Sequence, residues 1–488
     1  MLRAEINALN RAGTRPDPFS SFEFFENFLR YEKGSAPGQG LRLWFLVAIE
    51  SGRLIGYLAL KQVNHKVFGL RAPKIDFLVT HDADRPQLVC RPEHAKAVSE
   101  AFYNYLLQHK REWSFLEFRQ QDAASPLFPP PGGGKLKGCW VGQWPSMDNG
   151  TIPVSWPSLQ AYFRSFSKKF RSNVSRQMRS LLAAGEVEYL VSSDPDTTPA
   201  LFELYRSIEP RSWKSRAGVN IGRHPQWVEY FQGLLAVHQP MRVSIHLLLL
   251  DGVPIAGLIT GAFGQGLYAL HIVYDHSLSQ LGPGSAILLM SMRQAIDGRY
   301  AFFNLLSGFG YYKVRWQAQM SETRNVQIYR IGTPFFWRRV VGDLKRRLFP
   351  VGAPQTALLF NPMRRDALEH EEEPTHEAAV PHAALSTQER VRIAALITKV
   401  RNGEGEFLSS PQLAALMPFD TQRSSEKTPA QDRADPNAGV QGCCASSEVG
   451  TVRSTSRKES STMPITLMTS PASTPSRAPA VPKRCMPK

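Results

Sequence analysis

The sequence predicts a mixed α/β fold (α+β in detail): two modules of similar layout in tandem, then a tail without a core. Three observations carry this. Short apolar strands alternate with amphipathic helical stretches from about residue 20 to about 350. The modules share an element order, although no sequence repeat joins them. Beyond about residue 365 the composition shifts to Ser, Pro, Thr, Ala and mixed charge, which buries too little apolar surface to fold.

The first module is read over 20–150. FEFFENFLRYEKG has the spacing of an amphipathic helix ending near Gly34. LRLWFLVAIESGRLIGYLALKQV divides into two strands about Ser51-Gly52, a hairpin signal. FGLRAPKIDFLV adds a strand, PEHAKAVSEAFYNYLLQHK a helix and SFLEFRQQD another strand. PLFPPPGGG at 126–134 is too rich in Pro and Gly for regular structure.

The second module is read over 151–350. Its long helix, through KKFRSNVSRQMRSLLAA, stops at Gly185, a residue suited to the position after a helix. PDTTPALFELYRSIEP opens a helix with Asp and Thr capping chemistry. MRVSIHLLLLDGVPIAGLITGAFGQGLYALHIVYD holds three strands, with turns at Asp251-Gly252 and Gly264-Gln265-Gly266. A helix stopping near Gly298 and the strand RYAFFNLLSG follow. TPFFWRRVVGDLKRRLF reads as a basic amphipathic helix. Over 365–488 the tail reads as mostly disordered, with one helical island at TQERVRIAALITKV.

Net charge is +16 over 488 residues. Residues 1–363 carry 42 basic and 27 acidic side chains, so the excess lies on the part expected to fold. Such a surface favours anionic partners: CoA phosphates, nucleic acid or an anionic bilayer. Cys90, Cys139, Cys443, Cys444 and Cys485 have no zinc spacing and make a poor disulfide framework, which fits a reducing compartment. With no apolar signal core at the N-terminus and no apolar stretch of about 18 residues, a cytoplasmic protein is expected.

Gly282-Pro283-Gly284 stands where a buried strand hands over to a buried helix. Glycines let a diphosphate approach the unpaired amides of a helix start, and Pro283 costs nothing in the first turn. On this reading Gly284, Ser285 and Ala286 present free donors. An ordinary strand-to-helix turn is the other reading. No Lys-Ser/Thr follows the glycines, so the Walker pattern is absent, and no acidic ribose ligand sits where a dinucleotide fold wants one.

Gln280-Leu281-Gly282-Pro283-Gly284-Ser285 resembles the pyrophosphate loop of GNAT-type N-acyltransferases, one residue short before the first glycine. KKFRSNVSRQMRSL, WKSRAGVNI, YDHSLSQLGPGSAIL and GFGYYKVRW together resemble the CelD-like acetyltransferases, a FemAB-related branch, over about 20–345. The resemblance implies two GNAT-like halves, with acetyl-CoA or another acyl-CoA bound in the second and no metal. Gln280, Gly282, Pro283, Gly284 and Ser285 would hold the carrier. Tyr312 and Lys313 match the family's Tyr-Lys pair, Tyr312 falling where GNAT enzymes place an acid, with aromatic core packing as its other reading, and Lys313 facing CoA phosphates or an acidic acceptor.

Acyl transfer needs a base as well. Asp275 and His271 are the candidates, sharing a face if their strand runs on through Asp275; a capping role for Asp275 and core packing for His271 are the alternatives. Lys313 and Arg315 alternate with Val314, placing both on one side of an extended segment. Lys214 beside Trp213, Arg176 on the basic helix with Lys168, Lys169, Arg171 and Arg179, and Arg315 are candidates for the acceptor, against a reading as solvated charge. The expected activity is transfer of an acyl group to an amine or hydroxyl of a small-molecule, saccharide or lipid-linked acceptor. A FemAB-type transferase using aminoacyl-tRNA is one alternative, disfavoured by the lack of a recognisable RNA-binding motif or long coiled-coil insertion. A membrane-peripheral accessory protein, docked through the FFWRRVVGDLKRRLF helix, is the other. DNA is not an expected partner.

Overall fold

The computed structural model describes residues 2–32, 41–79, 83–128, 130, 136–218, 220–236, 240–308, 310–348, 385–416 and 466–469. Most of the Pro/Gly run at 126–134 and most of the tail, with Cys443, Cys444 and Cys485, lie outside these.

Helices α1 (Leu2–Ala12) and α2 (Phe22–Glu32) precede β1 (Arg42–Glu50), β2 (Arg53–Val67), β3 (Leu70–Phe77), β4 (Val89–Cys90), α3 (Ala95–Gln108) and β5 (Phe115–Gln121). The next stretch holds β6 (Cys139–Pro145), β7 (Asn149–Pro153), α4 (Leu159–Arg164), α5 (Lys168–Ala184) and β8 (Val187–Ser192). Helices α6 (Thr198–Ile208), α7 (Trp213–Ala217) and α8 (Pro225–Leu235) lead into β9 (Arg242–Leu250), β10 (Val253–Phe263) and β11 (Gly266–Tyr274). Then come α9 (Pro283–Asp297), β12 (Phe302–Ser307), α10 (Tyr311–Arg315), β13 (Gln319–Ser321), β14 (Arg324–Arg330) and α11 (Pro334–Leu348). From the tail, α12 (Thr387–Arg401), β15 (Glu406–Leu408), α13 (Ser410–Leu416) and β16 (Thr466–Thr469) are described.

Among the described residues these strands form two sheets of eight. The first runs β16-β1-β2-β3-β5-β14-β6, with β4 on β2; the second runs β13-β7-β12-β11-β10-β9-β8-β15. Each centres on an antiparallel meander (β1-β2-β3, β9-β10-β11) followed by a parallel neighbour (β5, β12) reached through a helix (α3, α9). The hairpins at Ser51-Gly52 and Asp251-Gly252 put both turn residues at positive φ (49° and 76°, 49° and 71°), the primed turn that fits twisted strands. The mixed α/β class and two-sheet architecture expected from the sequence are what the chain adopts.

Sheet membership crosses the chain at two places. β7 follows the first meander in sequence but pairs with β12 and β13 of the second sheet. β14 follows the second meander but returns between β5 and β6 of the first.

Gly185 ends α5 as expected, yet at φ 163°, ψ −164° it is extended rather than left-handed. A Cβ there would stand 2.5 Å from the Asp251 carboxylate, which accepts the Glu186 amide at 2.8 Å. Close approach, not helix-cap geometry, calls for the glycine. The helical island at 387 extends further than its sequence signal: β15 pairs with β8, α12 packs on α6, and Ile393, Ile397, Val400 and Leu413 are buried.

Candidate functional site

The site opens where β11 and β12 part. They pair at Gly266 with Phe302, Leu267 with Phe303 and Tyr268 with Asn304. Beyond that, β11 runs on to Tyr274 alongside β10, while β12, already paired with β7 on its other edge from Phe302, stays with β7 as far as Ser307. A bulge at Leu270, between the Ile259–His271 and Thr260–Ala269 pairs, bends β11 at this point. Residues 269–272 are half-buried in a row rather than alternately buried and exposed, as strand residues beside a gap would be.

At the far end of β11 the chain makes a 3-10 turn, His276–Leu281, and enters α9. Gly282 caps the helix in the left-handed region (φ 65°, ψ 40°), where glycine costs least. A Cβ on Gly282 would lie 2.7 Å from Gln177 Oε1 of α5, so that side of the turn is filled. The free donors are fewer than the sequence reading expects. The amides of Ser285 and Ala286 both donate to the Gly282 carbonyl, at 3.0 and 3.1 Å, because the helix closes its first turn tightly. Pro283 has no N–H, which leaves the Gly284 amide at a half-buried position, next to half-buried Ser285. A Cβ at Gly284 would meet the Tyr274 ring at 3.1 Å. The bare backbone here is a cradle that a side chain would crowd.

The opposite wall is the end of β12. Leu306 sits at φ 59°, unusual for a branched apolar residue. Its amide donates to Asn304 Oδ1 at 2.8 Å, and its carbonyl accepts Lys313 Nζ at 2.8 Å. Lys313 is 3 % exposed. Burial pushes its pKa down to about 8, opposed by the charge of Asp84. Asp84 comes from the first module. It accepts Asn149 Nδ2 at 2.8 Å, Asn304 Nδ2 at 3.2 Å and the Ser307 hydroxyl, and it pairs with Arg85 Nε at 3.2 Å. One buried carboxylate thus ties the two sheets together beside the gap.

Two expectations need correction. Residues 311–315 are helical, so Lys313 and Arg315 do not share a side as they would in a strand. Lys313 turns inward; Arg315 lies over the Phe170 ring at 5.2 Å. The strand also ends at Tyr274, before Asp275. Asp275 is fully buried, caps the 3-10 turn by accepting the Ser277 amide and hydroxyl, and pairs with Arg211 Nε at 2.6 Å. It shares no strand face with His271.

The other candidates spread around the gap. His271 Nδ1 lies 2.6 Å from the hydroxyl of fully buried Tyr205 on α6, whose pKa desolvation raises well above 10. Tyr312 is the second residue of α10, after β12, and is 41 % exposed. Desolvation shifts its pKa from 10 up to about 12, an effect that water at the exposed ring edge weakens; anywhere in that range the phenol keeps its proton at neutral pH. Gln280 is exposed at the end of the 3-10 turn. Lys214 Nζ lies over the exposed Trp213 ring at 5.9 Å. Arg176 is exposed on α5 and donates to Asn173 Oδ1. Asp84, Asn149, Asn304 and Tyr205 escape sequence reasoning, since their partners lie 65 to 223 residues away and no local pattern marks them.

Residues 168–314 match the family model of the acetyltransferase (GNAT) domain. That stretch includes β11, the glycine turn, α9 and β12. The chain therefore carries an acyltransferase domain of the GNAT type, and it is an enzyme. No protein of curated function matches the sequence. Among solved structures, FemX is 13% identical, with a TM-score of 0.46 over 69% of this chain and 98% of its own. L-PGS from Bacillus licheniformis is 12% identical, with a TM-score of 0.39 over 67% of this chain and 97% of its own. A tandem GNAT protein from the clavulanic acid biosynthesis pathway is 12% identical, with a TM-score of 0.38 over 67% and 93%. Among the described residues there is no group of three or more His, Cys, Asp or Glu placed to hold a metal ion, and no helix is long and apolar enough to cross a membrane.

Proposed function

We propose that the chain transfers an acetyl or related acyl group from acyl-CoA to an amine or hydroxyl of a small-molecule, saccharide or lipid-linked acceptor, as the resemblance to the CelD-like branch implies. The observation that carries this reading is the parted β11–β12 pair with the bare-backbone turn at its far end. An extended carrier containing amides can pair with β11 beyond Tyr268, where its pairing with β12 ends, as an added strand would. Its diphosphate then lies at the start of α9, where the Gly284 amide and the helix dipole favour negative charge. The thioester falls towards the β12 end of the gap, near Tyr312.

In this scheme Tyr312 keeps its proton and donates it to the departing thiolate. His271, oriented through Nδ1 by Tyr205, is the better placed base, since both carboxylate oxygens of Asp275 are engaged. Lys313 holds the Leu306 carbonyl and so shapes the gap rather than reaching the carrier's phosphates. Gln280, Ser285, Lys214, Arg176 and Arg315 remain candidates for the carrier or acceptor at its exposed ends.

Titration with acetyl-CoA tests the reading. Gly284→Glu sets a carboxylate at the diphosphate position, while its position in the first helical turn tolerates an acidic residue. We expect its affinity to fall by roughly a hundred-fold, with the melting curve read alongside because the new Cβ presses on the Tyr274 ring. Tyr312→Phe should bind acetyl-CoA normally and lose about a hundred-fold in kcat. Unchanged affinity in Gly284→Glu would refute the proposed seat of the diphosphate.

A further inference from the structure

Helix α11 carries large apolar side chains on the wrong side for a buried helix. Phe335 is buried against Val67, Ala72, Phe115 and Tyr329, and so fixes the inner face. Trp337, Val340, Val341, Leu344 and Leu348 are each 37–62 % exposed. Their steps of three, one, three and four residues place them along one stripe of the helix. The same fifteen residues contain Arg338, Arg339, Lys345, Arg346 and Arg347 but one acid, Asp343, which pairs with Arg339 at 2.9 Å.

A second element, distant in sequence, has the same character. The β2–β3 hairpin turns at Phe68-Gly69, both at positive φ (52° and 77°). Turns of this kind favour Asn or Asp at the first position, and a bulky aromatic there is strained. At this tip Phe68 stands 63 % exposed, with Leu70 61 % exposed beside it. Lys66 and Arg71 flank the tip, both exposed, and no acid occurs between Lys61 and Ile75. The two elements adjoin: α11 packs on β2 and β3, and the His65 and Phe335 rings are 5.9 Å apart.

We propose that α11 and the Phe68–Leu70 tip form a docking surface for an anionic lipid bilayer. Interfaces between proteins are depleted in charge at their centres, whereas an apolar stripe rimmed by Lys and Arg and bearing a tryptophan suits the headgroup boundary. The exposed Arg338, Lys345, Lys66 and Arg71 meet anionic headgroups while the stripe and tip enter the acyl boundary. Its elements, α11 and the β2–β3 tip, pack on the first sheet, whereas the proposed acyl-transfer site lies in the second.

Co-sedimentation of the full chain with vesicles tests this. We expect partition onto phosphatidylcholine vesicles containing phosphatidylserine, little onto phosphatidylcholine alone, and a steep fall with added salt. Trp337→Ser with Leu344→Ser should weaken partition by at least roughly ten-fold, the worth of burying one large apolar side chain. Phe68→Asn with Leu70→Ser should weaken it by about as much. Asn suits the turn better than Phe, so this variant should melt no lower than the parent, which separates lost docking from lost folding. The proposal is overturned by absent partition, by equal partition onto both vesicle types, or by either variant binding as the parent does. It is equally overturned if the stripe instead drives self-association, seen as a dimer in analytical ultracentrifugation that Trp337→Ser with Leu344→Ser abolishes.

Discussion

The two sheets begin alike and differ at one place. In both, a meander ends in a strand that pairs in parallel with the next over three residues: Lys74–Asp76 with Phe115–Glu117, and Gly266–Tyr268 with Phe302–Asn304. In the first sheet the chain itself fills the space beyond. The Arg85 amide donates to Gln120 Oε1, and Gln121 Nε2 donates to the Pro86 carbonyl at 2.8 Å, so segment 84–87 is laced to the end of β5. In the second sheet β11 runs six residues further, no such segment crosses the gap among the described residues, and a glycine turn follows. The same layout thus yields a closed partition in one half and a cleft in the other. The decisive difference is where the chain goes after the third strand of the meander.

Breaking this contrast should show most at Asp84, where the closing segment of the first half reaches the cleft of the second. Asp84→Ala takes a hydrogen-bond acceptor from Asn149, Asn304 and Ser307 and leaves Arg85 only its longer ion pair with Asp122, at 3.6 Å. It should cost about 3–5 kcal/mol in urea unfolding and also weaken acyl-CoA binding. A loss of stability with normal binding would show that the hub serves the fold alone. Lys313 should give the next effect, as a pH dependence. Its folded pKa, about 8, lies below the ordinary lysine value of 10.5, so the unfolded chain binds more protons between those limits. Stability contributed by this residue therefore rises as pH climbs from about 8 towards 10.5, and Lys313→Met should flatten that rise in denaturation curves taken across the window. The smallest effect is expected at Gln121→Ala, which unlaces the closed half. About 1–2 kcal/mol of stability should be lost with the KM for acyl-CoA unchanged, if the carrier binds in the second half as proposed. A raised KM would mean that the halves are less distinct than their topology implies.

What the sequence made legible follows from how local each signal is. Ser51-Gly52 and Asp251-Gly252 announce their hairpins because the turn chemistry sits in two adjacent residues. Phe68-Gly69 makes a similar turn but hides it, since phenylalanine is no turn former. The glycine turn at 282–284 was legible for the same reason as the first two, though the pairing of Ser285 and Ala286 with Gly282 was not. YYKVR reads as alternating charge only if its backbone is extended; in a one-turn helix the same residues send Lys313 inward. The polar hub at Asp84 has no local pattern, and the crossings of β7 and β14 depend on partners chosen from the far module.

Those crossings bear on the order in which the protein can be made. A ribosome releases the first meander long before residue 324, yet the strand that separates β5 from β6 is among the later parts of the second half to emerge. Until then the amino-terminal sheet keeps a raw edge at β5. Neither half can reach its finished form while the other is missing, so translation leaves the nascent chain exposed over most of its length, and a break between the halves would leave two incomplete sheets rather than two domains.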